Sequence, residues 1–414
     1  MRRALPPAGG GEPGDAAFAA ALRAIEASDA DGDGESNGDE IRGGSAPGDP
    51  ASRSAAGARE CPGDAGGLAY RVCQYDPPYV YRKVMLDFCG RSPSFEERQA
   101  FGARAGAAQR AALHEALDGC LKTPFWRGRD GAVWRLAHPK VRPASFGEND
   151  YGDEGGAGGE GGGGALYDDD YALFVYTQID GHDARDLLLA RYFVRQTGPT
   201  DYARVDELPG QQNIPAERRA GMITTAWFLI FNNMFTALPR TAAAQAYRSY
   251  LGYDIAKQEG LYPVSDEPVD YDDKGLRAPT CAVCHSTLDP LTYPFRNYDG
   301  VSADDLERFG RYLPDRLESL YEGAIPGVSL TPEAGYLFGQ PVADLTAWAR
   351  AAADSDAFAI ALVRDYWQLL LGAPPAPDEA AAFEGLWRSF RGPRGYSVEG
   401  MLHDLIDTEV YGVP

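Results

Sequence analysis

Cys281-Ala282-Val283-Cys284-His285 constrains this chain more than any other stretch. Two thiols separated by two residues, followed at once by an imidazole, meet the demands of covalent haem attachment. Each thiol forms a thioether to one vinyl group of the porphyrin, and the adjacent histidine lies beneath the ring as proximal iron ligand. A fold built on this pentad shields a porphyrin with helices and leaves one ring edge accessible. Two other readings of the same residues are weaker. Zinc needs a fourth ligand at matching spacing, and the chain has no second C-x-x-C and no H-x-x-x-H. A thioredoxin-like pair follows a strand and opens a helix, whereas the residues before Cys281, from Asp272 to Thr280, read as a polar loop.

Of the 6 cysteines, Cys61, Cys73, Cys89 and Cys120 remain outside the motif. In an oxidising compartment they form two bridges in one of three connectivities, the most local being Cys61–Cys73 with Cys89–Cys120. Buried free thiols are the other reading, with Cys89 inside an apolar run. Covalent haem c is assembled outside the bacterial cytoplasmic membrane, so the expected location is periplasmic or at the cell surface. Met1-Arg2-Arg3 is followed by Ala4-Leu5-Pro6-Pro7-Ala8 and not by the apolar core of a signal peptide. Export then calls for a signal or lipid anchor upstream of the given start. No run of apolar residues is long enough to predict a transmembrane span. The net charge of −22, without a basic cluster, argues against nucleic acid and favours a basic protein or a cation as partner.

A second motif lies near the N-terminus. Helical periodicity over 16–27 runs into residues 29–40, which fit a twelve-residue calcium loop. Asp29, Asp31 and Asp33 take positions 1, 3 and 5, Glu35 offers its carbonyl at 7, Asn37 takes 9 and Glu40 takes 12. Ser36 at position 8, where paired sensor loops place an aliphatic residue, and the lack of a second loop favour a structural clip. The stretch is similar to the single calcium loops of exported bacterial proteins.

The predicted fold class is mainly α: helical modules around the haem segment, with a disordered N-terminal region and a Gly-rich insertion. The organisation reads as a flexible region with the calcium loop over 1–60 and a helical module over 61–144. The insertion follows at 145–166, a helical middle region at 167–262, the haem segment at 263–300 and a connecting region at 301–344. A C-terminal helical module completes the chain at 345–414. Helices are expected at 81–102 and 107–137, with a break at His138-Pro139, and again at 171–176, 184–194, 215–235 and 241–256. Residues 221–231 are apolar nearly all round and read as a core helix or a wall of the haem pocket. Residues 86–101 recur at 368–383, where Gly372, Pro375, Glu379, Ala382 and Phe383 match Gly90, Pro93, Glu97, Ala100 and Phe101. Each copy reads as a helix ended by Gly, a Pro-containing turn, a second helix and a third.

The stretch from Ala278 to Gly300, with Asp289-Pro290 after the C-x-x-C-H and then Tyr298-Asp299-Gly300, resembles the haem segment of planctomycete-type cytochrome c proteins. Residues 86–97 and the module at 345–414 resemble helical domains of the same proteins, so the likeness covers most of 80–414. It implies an exported haem protein with a redox role.

No Met or His occurs between Ser286 and Gly400, where a small cytochrome c usually supplies its sixth ligand. The candidates are Met234, the first choice, with Met222, Met401, His403 and His182; an absent sixth ligand leaves an open site. His285 is expected to donate its other ring N–H to a backbone carbonyl near Pro290 or Pro294, and Arg240 and Arg296 are candidates for the haem propionates. The leading expectation is electron transfer to a redox partner protein, with no catalytic residue assigned. The alternatives are a haem oxidoreductase with an open sixth position and a calcium-stabilised helical scaffold.

Overall fold

The computed structural model describes residues 23–32, 34, 36–43, 47–48, 75–141, 167–208, 213–233, 236–302 and 305–413. The Gly-rich insertion, Cys61, Cys73, Asp33, Glu35 and Met234 lie outside the described residues, as does most of the N-terminal region. The fold is mainly helical, and the strands form two-stranded hairpins. None of the described helices is long and apolar enough to cross a membrane.

The chain divides into two compact units, Met1–Tyr81 with Asp407–Pro414, and Arg82–Ile406. In the first, residues 23–26 are helical and lead into the acidic loop, which is closed by α1 (Asn37–Gly43). The Asp29 carboxylate accepts from Gly32 N and Gly34 N at 2.7 and 2.9 Å.

The second unit opens with the first copy of the repeat. α2 (Pro77–Cys89) enters it from the first unit and stops at Gly90, whose φ of 69° suits glycine; a Cβ there would also strike the Phe125 ring. Ser94 then caps α3 (Phe95–Gly102), with Glu97 reaching back to the Ser94 amide in a capping box, and α4 (Gly106–Leu121) follows. Cys89 and Cys120 are bridged, one pairing of the local connectivity; the free-thiol reading of Cys89 is excluded. Two short helices come next, α5 (Pro124–Arg127) and α6 (Ala132–Val141).

The break expected at His138-Pro139 does not occur, and α6 runs on through Pro139. Its last carbonyls are satisfied in tertiary contact, where Gln245 Nε2 donates to Pro139 O and Asn232 Nδ2 to Val141 O.

α7 (Tyr167–Gln178) agrees with the expected middle helix, but the helix expected at 184–194 does not form. Only α8 (Asp186–Leu189) is helical there, because β1 (Phe193–Gln196) pairs antiparallel with β2 (Tyr202–Val205). The single helix expected over 215–235 is also divided, into a 3₁₀ turn at Gly221–Thr224 and α9 (Ala226–Asn233). α9 is buried all round, as its composition requires. In its first turn Asp170 accepts from Trp227 N and Phe228 N, so amides that no helix can satisfy internally are paired despite their burial.

α10 (Arg240–Leu251) and α11 (Pro279–Thr292) pack against each other. After α11 come the hairpin β3 (Tyr298–Ser302) and β4 (Asp305–Tyr312), the short α12 (Arg316–Leu320), and a second hairpin of β5 (Gly335–Leu337) and β6 (Gln340–Val342). The connecting region expected at 301–344 is therefore partly strand. α13 (Leu345–Ala353) leads to the second copy of the repeat: α14 (Asp356–Leu371), Gly372 in the left-handed region, α15 (Ala380–Arg391) and α16 (Val398–Ile406). Glu379 repeats the part of Glu97 by accepting from Ala376 N.

α4 and α16, the third helices of the two copies, pack together. His114 and His403, each following a matched leucine, meet across that contact with their Nδ1 atoms 2.6 Å apart. α17 (Glu409–Gly412) ends the chain in the first unit.

Candidate functional site

Pro279 starts α11 at a position where its missing N–H costs nothing, so the helix begins two residues before Cys281. The loop expected before the motif thus ends at Ala278, and no strand precedes it. Helical spacing places Cys281, Cys284 and His285 on one side of α11, at i, i+3 and i+4. Both thiols are free and half-buried, and Val283 between them is exposed.

The C-terminal half of the helix is anchored. Thr287, Asp289, Pro290, Leu291 and Thr292 are buried. Pro290 has no N–H to give to Ser286 O, one turn earlier. That carbonyl instead accepts from Val264 N at 3.0 Å, and Thr287 Oγ1 accepts from Tyr262 N at 3.0 Å. The segment around Tyr262–Val264 is thereby strapped along the helix. Tyr262 also meets the Phe338 ring, which lies near Tyr247 and Tyr253. On another side, β5 lies so close that a Cβ on Gly335 would be 2.3 Å from Pro290 O.

His285 Nδ1 is 2.8 Å from Asp289 Oδ1, one turn further along the same helix. The expected carbonyl acceptor near Pro290 or Pro294 is replaced by this carboxylate. The reason is spacing: an i+4 aspartate is within reach of the ring, while the helix already uses or diverts the nearby carbonyls. An acceptor at Nδ1 fixes the proton there and leaves the Nε2 lone pair for a metal. Among the described residues no group bonds Nε2.

Asp289 is 1% exposed and is gripped by Arg240, with Nε to Oδ1 at 2.7 Å and Nη2 to Oδ2 at 3.0 Å. Arg240 also binds Asp272 through Nη1 at 2.6 Å and Nη2 at 2.8 Å. Burial alone would lower the guanidinium pKa, but the hydrogen bonds to Asp289 and Asp272 outweigh it and hold the value above the usual arginine range. Arg240 is therefore committed to carboxylates and is not placed as a propionate partner. Arg296 binds Thr331 O and Glu318. Sequence reasoning missed Asp272 and Asp289 as parts of the site; the i+4 spacing of Asp289 from His285 was the available signal.

The elements most extensively packed on α11 are α10, β5 and the 3₁₀ turns at Ile255–Lys257 and Tyr293–Phe295, and none contains Met or His. Met222 and Met401 are fully buried in the 3₁₀ turn Gly221–Thr224 and in α16. His403 is engaged by His114 and by Asp118 at 2.9 Å, and His182 Nδ1 bonds Tyr176 O while its ring stacks on Tyr176. A surface cleft of about 550 Å³ is lined by Pro124, Gly128, Arg129 and Gln196–Pro199, none of them from the motif.

In the acidic loop, the Asn37 side chain accepts from Ala30 N and donates to Ile25 O and Ser28 Oγ. It staples the loop to the preceding helix and is not placed as a ligand. Glu40 is buried. Among the described residues no group of three or more His, Cys, Asp or Glu is arranged to hold a metal ion.

No family model, curated protein or solved structure matches the chain.

Proposed function

We propose that this chain is an exported monohaem c-type cytochrome that passes single electrons to and from a partner protein. One observation carries the reading: two free thiols and an imidazole share one side of α11, and the imidazole is fixed by a carboxylate at Nδ1 with Nε2 unbonded. That donor set fits haem c. Cys281 and Cys284 would hold it, each S–H adding across a vinyl C=C so that sulfur bonds one carbon and hydrogen the other, with no net oxidation. His285 would supply the proximal nitrogen. The bound haem supplies one-electron chemistry at iron.

The protein's own residues do the rest. Asp289 orients the ring, Arg240 holds Asp289, and the Tyr262–Val264 strap and β5 keep α11 in place. The likeness of 278–300 and of the repeated modules to planctomycete-type cytochrome c proteins points the same way. The negative charge of the chain suits a basic redox partner, and haem c attachment implies a periplasmic or cell-surface location. We read residues 29–40 as a calcium clip, since Asp29 already gathers the loop amides as a first calcium ligand does.

A second reading, an oxidoreductase with an open sixth position, is favoured by the lack of Met or His on the elements packed most closely against α11. Coexpression with a haem c maturation system and export, followed by oxidised and reduced spectra, tests both. Sharp reduced α and β bands that survive acid–acetone extraction, and vanish in Cys281→Ala/Cys284→Ala, are expected for the cytochrome. A high-spin spectrum would favour the open site, and absence of haem would remove both readings.

A further inference from the structure

We propose that Asp289, gripped by Arg240 and Asp272, is a positioning residue that lowers the reduction potential of iron bound at His285 Nε2. The inference rests on the haem reading and assigns the buried cluster a task within it.

The geometry carries the argument. A peptide carbonyl behind a proximal histidine contributes a dipole, but a carboxylate contributes a full negative charge. Accepting the Nδ1 proton at 2.8 Å, it makes the imidazole a stronger donor, which favours ferric over ferrous iron. Water does not screen that charge, because Asp289 is 1% and Asp272 3% exposed at the side chain. One guanidinium faces two carboxylates, so the cluster keeps one net negative charge behind the ring.

Each part also has a place. His285 and Asp289 belong to one helix, so their separation is set by its pitch and not by a loop. Arg240 grips both oxygens of Asp289, which prevents the carboxylate from rotating away from the ring. Asp272 in turn directs the guanidinium. The haem that His285 would hold would exchange one electron, taken from an external donor and passed to an external acceptor, with no bond to the chain made or broken.

The experiment is a spectrally monitored titration of the haem-loaded, full-length chain, with dithionite as electron donor and ferricyanide as acceptor. Asp289→Asn keeps an oxygen that can accept from Nδ1 but removes the charge. It is expected to raise the ratio of reduced to oxidised iron at a given potential roughly tenfold, equivalent to about 59 mV for a one-electron couple. Asp272→Asn, which leaves the His285–Asp289 bond in place, is expected to shift it the same way by less. Glu384→Gln, which removes an exposed carboxylate paired with Arg388 outside the cluster, is expected to leave the potential unchanged.

An unchanged potential in haem-loaded Asp289→Asn would overturn the proposal and leave the haem reading intact. If that variant does not fold, an unchanged potential in Asp272→Asn would overturn it. A parent protein without covalent haem would instead overturn the reading beneath it.

Discussion

Gly335 and Arg240 hold the C-x-x-C-H helix from two sides by different physics. At Gly335 the constraint is steric: an added methyl would meet the Pro290 carbonyl and the Pro294 ring, a backbone atom and a closed ring that cannot swing aside. Gly335→Ala is expected to destabilise the protein by about 1–3 kcal/mol, read as a lower denaturant midpoint with an unchanged slope. A variant as stable as the parent would mean that the hairpin is free to move off α11. At Arg240 the constraint is electrostatic. Arg240→Leu would leave Asp272 and Asp289 buried without their cation, at a cost of about 3–5 kcal/mol, whereas an exposed pair such as Arg388–Glu384 contributes about 0–1 kcal/mol. Equal losses from Arg240→Leu and Arg388→Leu would contradict that ranking. The C-x-x-C-H motif of α11 was legible in the sequence, because it is a contiguous spacing. What holds it was not, because Arg240 and Asp272 come from distant segments that only the fold brings to Asp289.

At the scale of elements, the repeated module is where sequence and structure agree most closely. Gly90 and Gly372 end their helices in the left-handed region, and Glu97 and Glu379 close the next helix start in both copies. These are local signals, and local signals survive folding. The 184–194 segment fails for the opposite reason. Its apolar residues have helical spacing, but the pairing of Phe193–Gln196 with Tyr202–Val205 overrides it. Pro139 likewise suggested a stop, yet the helix runs on to Val141.

Two predictions belong to this scale. Removing the Cys89–Cys120 bridge by paired alanine substitution is expected to cost about 3–4 kcal/mol from the entropy of a loop of 31 residues, measured by thermal or denaturant unfolding. In the capping box, the Arg91 guanidinium and then the Ser94 amide hold the Glu97 carboxyl at about 2, below its ordinary 4.5. Its contribution is therefore complete above the ordinary value and is lost as pH falls through about 2. The stability gap between the parent and Glu97→Gln is expected to shrink over that interval; a gap constant with pH would exclude the ionised carboxylate as its source.

For the whole molecule, the helical class was readable from periodicity, but the division into units was not. The terminal residues 407–414 group with the N-terminal part, a long-range association that no composition shift along the chain announces. The proposed function rests on the motif alone, and the sequence could not choose among its candidate sixth ligands, because Met and His positions carry no record of which helices pack on α11. The central claim is that Cys281 and Cys284 carry haem covalently. Cleavage after Arg277 and Arg296 isolates residues 278–296, which hold both thiols and His285. Mass spectrometry of this peptide from the exported protein is expected to find it heavier by one haem, with both cysteines modified. Recovery of the peptide at its bare mass, with free or mutually oxidised thiols, would contradict the account.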